Sequence, residues 1–230
     1  MAVKRKVPAL QVRQAPAAKR GRAHGDESRE RILEAARAIA SERGYDGTSI
    51  AGVSERSGLP ASSIYWHFED KDQLIAAVIE RSFNRWLEGM GAWIPPRKGA
   101  TRQERFTAGL RATAKALTDA PDFLRLGLML SLERRPAEAS ARTLFLQVRE
   151  QAWKQMVASY ESFFAGELDS AGVRKLATLT MAAADGLFIA REVTGDARAF
   201  EASFELLGVA LLGAAEHLKP RSDRSGRPRR

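Results

Sequence analysis

The sequence contains no cysteine. That excludes disulfides, thiolate-bound zinc and thiol nucleophiles, and it fits a reducing, cytoplasmic setting. Histidine is almost as scarce. His24, His67 and His217 lack the spacing of metal ligands, so no metal site is expected. They lie near the two ends and in one short central segment, which leaves no Ser–His–acid arrangement to argue. No run shows the period-two alternation of a strand, and no Gly-rich phosphate loop follows one. No catalytic residue and no cofactor are therefore expected. No apolar run approaches the ~20 residues of a membrane span. The basic N-terminus has no apolar segment behind it, so no secretory signal is expected.

What is present points to a helical protein. The chain has 230 residues, 44% of them hydrophobic, enough for one or two domains with a real core. Its net charge of +9 sits at the ends. Residues 1–25 carry seven basic residues and no acid, and residues 219–230 carry six against Asp223. The stretch between them is −3. Two readings of the tails stay open: solvated disorder, or an arm that adds phosphate or minor-groove contacts.

The most informative stretch runs from Thr48 to Lys71, TSIAGVSERSGLPASSIYWHFEDK. Thr48 is an N-cap candidate for a helix whose Ile50 and Val53 share a face. Gly58 ends that helix in the left-handed conformation. Leu59 turns inward, and Pro60 suits a first helical position. The next helix runs from Ala61 to about His67. It turns Ile64 and Phe68 inward and shows Ala61, Ser62, Ser63, Tyr65, Trp66 and His67 on its other faces. Two short helices around a Gly-marked turn form the helix-turn-helix unit that enters a DNA major groove.

From Arg29 to Val78 the chain resembles the TetR family of transcriptional repressors. Gly58, the Ile64-Tyr65-Trp66-His67-Phe68 run, Lys71 and Leu74 carry the resemblance. It implies phosphate contacts from Thr48, Tyr65, His67 and Lys71. Ala61, Ser62 and Trp66 then face base edges, with Ser63 on the border. Two departures matter. Pro60 stands where a Ser cap is common, and no base-facing residue is an Arg, Asn or Gln able to form a bidentate pair. Specificity then rests on thymine methyls, DNA shape or the arm. The head from Asp26 to Trp93 is also acidic, with eight basic and twelve acidic residues.

Apolar periodicity predicts about nine helices, an all-α fold with a three-helix head and a helical body. A first helix is expected from about Glu27 to Arg43, ended by Gly44, with Tyr45 packed on the same small core. A linking helix follows from Asp70 to about Ala92. Body helices begin at Thr101, Asp122 and Pro136, and the last two span about Ser170–Val193 and Ala197–Leu218. The domain boundaries follow: a basic arm (1–25), the DNA-binding head with its linking helix (26–93), a ligand-binding and dimerisation body (94–218) and a basic tail (219–230).

The resemblance implies a homodimer that binds a palindromic double-stranded operator and a small-molecule effector. The last two helices then form a four-helix interface. Leu176, Leu179, Ala183, Leu187, Phe204, Leu207 and Leu211 are its candidates, and a core hairpin is the alternative. Candidate effector contacts are Phe106, Leu110, Phe123, Leu126, Met129, Leu130, Trp153, Met156, Tyr160 and Phe188, with Glu133 and Asp185 as polar anchors. Ordinary packing is the competing reading for each. An architectural protein holding nucleic acid non-specifically through its basic tails is the functional alternative.

Overall fold

The computed structural model describes residues 19–91, 98–133 and 140–220. Among these, all regular structure is helical: α1 (Lys19–Arg43), α2 (Ile50–Ser57), α3 (Ala61–His67), α4 (Lys71–Gly91), α5 (Arg102–Asp119), α6 (Asp122–Leu132), α7 (Ser140–Phe163), α8 (Ser170–Thr194) and α9 (Ala197–Leu218). The expected fold class is the one observed.

The head closes over a small apolar core. Ile32, Leu33, Ala36, Ile39 and Ala40 of α1 bury their stripe against Val53 of α2, Ile64 and Phe68 at α3, and Leu74, Ile75 and Val78 of α4. Leu59, half buried, packs against them. Gly58 takes φ 67°, a conformation that costs a side chain about 1–2 kcal/mol. Arg31 of α1 donates to the Ser57 carbonyl at 2.7 Å and so holds the end of α2.

Three local expectations need correction. α1 begins at Lys19, eight residues before Glu27, so residues 19–25 of the expected arm are helical; residues 1–18 lie outside the described residues. Ser49, not Thr48, caps α2, its hydroxyl accepting from the Gly52 N–H at 3.1 Å. Thr48 is buried, and its hydroxyl donates to the Gly44 carbonyl at the end of α1. Pro60 is the residue before α3 rather than its first. It has no side-chain oxygen for capping, but its fixed φ of −63° delivers the chain into the helix.

α4 joins head to body, packing on α1 at one end and on α5, α6 and α7 further along. The body is a bundle in which α5 lies between α4 and α9, and α8 pairs with α7 and α9. Its helix starts follow the capping rules. Thr101 and Glu104 close a reciprocal capping box on α5, while Asp169 and Asp196 cap α8 and α9. Gly208 of α9 abuts Thr107 of α5, so this small residue serves close packing within the chain.

Two carboxylates tie the head to the body. Asp72, in the first turn of α4, accepts from the Tyr45 hydroxyl at 3.2 Å and from the first two N–H groups of α7, Ser140 at 2.5 Å and Ala141 at 3.4 Å. The Ser140 hydroxyl also donates to it. Asp122, buried at the start of α6, accepts from Ser41 at 2.7 Å and pairs with Arg37, both on α1. Residues 134–139, between α6 and α7, lie outside the described residues.

Candidate nucleic-acid interface and effector cavity

α3 turns one face into the head and the other to solvent. Ile64 is fully buried and anchors the helix, while Tyr65 and Trp66 are 57% and 67% exposed. An exposed tryptophan is uncommon enough to ask what it meets. Ser62 is exposed, and Ala61, Ser63 and His67 are half buried. These six residues are thus all at least partly accessible on one short helix. Thr48 does not join them, because its side chain is buried and bonded to Gly44.

Lys71, the first residue of α4, folds over the Tyr45 ring, with Nζ 4.2 Å from its centroid and 3.2 Å from the Tyr45 carbonyl oxygen. Two of its three donors remain for a phosphate. The positive end of α4 lies beside it.

The early start of α1 brings a neighbour that periodicity did not reveal. A methyl placed on Gly25 would stand 3.6 Å from the Trp66 ring, so the backbone there passes close to the indole. Three residues on, the Ser28 hydroxyl and His67 Nε2 are 3.0 Å apart. Burial, and then the positive charge of Arg29, hold the His67 pKa below its ordinary value of 6.5, with Asp26 opposing. The ring is therefore neutral at pH 7. Because the folded value is the lower one, the unfolded chain takes up the proton first. Any stability tied to this ring is complete above about pH 6.5 and declines below it. In an NMR titration, Arg29→Gln is expected to move the His67 midpoint upward and Asp26→Asn to move it down.

The body contains a half-open cavity of about 280 Å³ between α4, α5 and α7. Trp86 and Leu87 come from α4, and Arg105, Phe106, Gly109, Leu110 and Thr113 from α5. α7 supplies Ala152, Gln155, Met156, Ser159, Tyr160 and Phe163. Of the sequence candidates, Phe106, Leu110, Met156 and Tyr160 converge here. The Tyr160 hydroxyl lies 2.9 Å from Thr180 Oγ1, and burial pushes its pKa up to about 12, so it stays a neutral part of the wall.

The remaining candidates do not line this cavity. Leu126, Leu130 and Phe188 are core residues, and Phe123 packs behind Trp86 with ring centroids 5.5 Å apart. Met129 reaches Gly44 of the head. Trp153 donates to Thr178 of α8. Asp185 is held by both guanidinium nitrogens of Arg149, at 2.8 and 2.5 Å, and so ties α7 to α8. Glu133 is exposed at the end of α6.

A larger hollow of about 370 Å³ lies at the junction of α1, α4 and α6. Its walls are polar and charged, including Glu34, Arg37, Arg85, Asp122 and Arg125. Several of these charges already satisfy one another, as in Arg37–Glu34 and Arg37–Asp122. The smaller, apolar cavity is the better ligand site.

Trp86, Leu87, Arg105, Gly109 and Thr113 were not among the sequence candidates. Trp86 and Leu87 sit in the apolar stripe of α4, which reads as packing. Arg105 and Gly109 belong to no stripe.

The fold is all-helical among the described residues, with a helix-turn-helix head and a cavity in its body. Residues 32–78 match the model of bacterial regulatory proteins of the tetR family. Over these residues the chain carries a helix-turn-helix head of the tetR family type. It is 34% identical over 62 residues to the transcriptional regulator TtgR of Pseudomonas putida, covering 27% of this chain and 30% of that protein. It is 37% identical over 59 residues to the transcriptional repressor KstR of Mycolicibacterium smegmatis, covering 26% and 29%. The match thus spans about a third of the length of these curated relatives, and it lies in the head.

Solved structures extend the likeness to the whole fold. A transcriptional regulator from Rhodococcus superposes with a TM-score of 0.64 at 18% identity, covering 82% of this chain and 98% of that one. The fatty acid degradation regulator FadR from Bacillus halodurans gives 0.63 at 16% identity, covering 81% and 95%. Among the described residues no group of His, Cys, Asp or Glu could hold a metal ion, and no helix is long and apolar enough to cross a membrane.

Proposed function

We propose that the protein is a homodimeric repressor that binds a palindromic operator through α3 and leaves it when a small molecule occupies the cavity between α4, α5 and α7. The observation that carries this reading is the exposure of Tyr65 and Trp66 on a helix whose opposite face is fully buried. Relatives matched through the head include proteins named as repressors, KstR and the negative regulator IcaR of Staphylococcus epidermidis. The order of the domains supports the reading as well: a head at residues 26–91, then a body that holds the cavity. Residues 92–93 of the expected boundary and the tail beyond 220 lie outside the described residues. Lys219 is described, and it pairs with Glu167 and Glu216.

Dimerisation is supported by an apolar face without a partner among the described residues. Leu179, Ala182, Gly186, Ile189 and Val193 follow helical spacing on α8 and are half to largely exposed. Leu206, Val209 and Gly213 do the same on α9. Added Cβ atoms at Gly186 and Gly213 would meet nothing, so another helix can approach there. This shifts the interface from the sequence candidates. Leu176, Phe204 and Leu211 are fully buried in the body, Ala183, Leu187 and Leu207 are half buried, and Leu179 alone of the seven is exposed. Leu206→Glu is expected to give a monomer in analytical ultracentrifugation with nearly unchanged stability, since Leu206 is 70% exposed.

Two half-sites one DNA turn apart place the recognition helices about 34–36 Å from each other. An effector that prefers a dimer with another spacing lowers DNA affinity by that preference. The test is binding to a palindromic site selected from random DNA, against scrambled DNA, across a salt series. A specific complex that outlasts the non-specific one is expected, and equal affinities that vanish together would sink the reading. Tyr65→Phe and Lys71→Ala should weaken all sites alike, whereas Ser62→Ala and Trp66→Ala should change sequence preference.

A further inference from the structure

We propose that the cavity between α4, α5 and α7 takes an apolar molecule ending in a single carboxylate, with the Arg105 guanidinium as its anchor. This rests on the reading of that cavity as the effector site.

Size and wall set the apolar part. About 280 Å³ is nearly twice the ~150 Å³ of an engineered apolar cavity that binds benzene. Trp86, Phe106, Leu110 and Met156 surround it with aromatic and aliphatic surface.

The polar inventory sets the head group. The Thr113 and Ser159 hydroxyls donate to carbonyls of their own helices, at 3.1 and 2.9 Å, and the Tyr160 hydroxyl is engaged with Thr180. Among the described residues no acid lines the cavity. The Gln155 amide offers both a donor and an acceptor, and two further donors are left over. Arg105 is exposed and makes no ion pair among the described residues, and Trp86 keeps its indole N–H buried without an acceptor. A wall whose only charge among the described residues is a guanidinium favours a ligand that accepts. A lone guanidinium selects a monoanion, and its planar fork matches a carboxylate. A cationic ligand would meet Arg105 with no compensating charge.

The test uses the full chain and tryptophan fluorescence, with decanoate, decanol and decylamine as probes below their micellar concentrations, and 1-naphthoate against 1-naphthol as a second pair. Each acid is expected to bind about tenfold or more tighter than its alcohol, as a charge-assisted pair supplies. Arg105→Gln should erase that difference while leaving the alcohols' affinity in place. Gly109→Leu fills the cavity from a position whose added Cβ meets open space, and it should abolish acid and alcohol binding alike. The carboxylate proposal is overturned by wild-type protein that binds alcohol or amine as tightly as acid, or by an Arg105→Gln variant that keeps the preference. The underlying effector-site reading falls separately, and the proposal with it, if no probe binds or if Gly109→Leu leaves binding untouched.

Discussion

Replacing Asp72 with alanine is expected to lower the unfolding free energy by about 2–3 kcal/mol, read from urea denaturation. One carboxylate here satisfies the first two N–H groups of α7, the Ser140 hydroxyl and the Tyr45 hydroxyl. Loss of a helix cap alone costs about 1 kcal/mol, and hydrogen bonds to a charged acceptor are worth about 1.5–3 kcal/mol where desolvated. Asp72 is only partly buried, so the expected figure is well below their sum. Asp72→Asn should cost about half as much, because asparagine caps helices well. Ser140→Ala should cost less still, about 0.5–1 kcal/mol. An alanine variant as stable as the parent would show that α7 finds its cap elsewhere. A functional consequence is expected too. Asp72 is the sequence neighbour of Lys71, and α7 forms one wall of the cavity. Effector and operator should therefore be less tightly coupled in Asp72→Ala, with the ratio of DNA affinities with and without effector moving toward one.

The second large effect separates two glycines that a propensity scale treats alike. Alanine is better than glycine in a helix interior by about 1 kcal/mol. Gly109→Ala on α5 should realise about 0.5–1 kcal/mol of that, since an added Cβ meets open space. Gly127→Ala on α6 should destabilise by about 1–3 kcal/mol instead. There the new methyl would overlap the ring of Phe145, which is 1% exposed and has no free volume to move into. Phe145→Leu combined with Gly127→Ala should recover part of the loss, and a double-mutant cycle measures the coupling. Equal and favourable effects at both positions would mean that α6 and α7 separate easily, against the packing described above.

These pairs show where sequence is informative. Gly58, the Pro60 turn and the inward Ile64 and Phe68 are local features, decided by chain geometry within a few residues, and they were legible. So were the starts of the helices at Thr101 and Ala197. Thr48 and Ser49 stand side by side, and either hydroxyl suits a cap. Only the α1 terminus, whose Gly44 carbonyl draws in Thr48, decides between them. α8 and α9 each carry apolar residues on two faces. Periodicity finds both, but the rotation of the helix against its neighbours determines which one turns inward. That is why Leu176, Phe204 and Leu211 proved to be core while Leu206 and Val193 stand exposed. The Asp72–Ser140 junction joins residues 68 positions apart, and nothing near either one announces the other. Arg105 and Gly109 gain meaning only from the space they border.

The division of labour around the cavity has a practical side. Its α5 wall takes its neighbours chiefly from α4 and α9, while the capped start of α7 and the buried Asp122 of α6 hold the head. Arg105, Phe106, Gly109, Leu110 and Thr113 can then be varied as a recognition cassette, leaving both mechanical linkages intact. A library confined to those five positions is the economical starting point for turning this scaffold into a biosensor for other molecules.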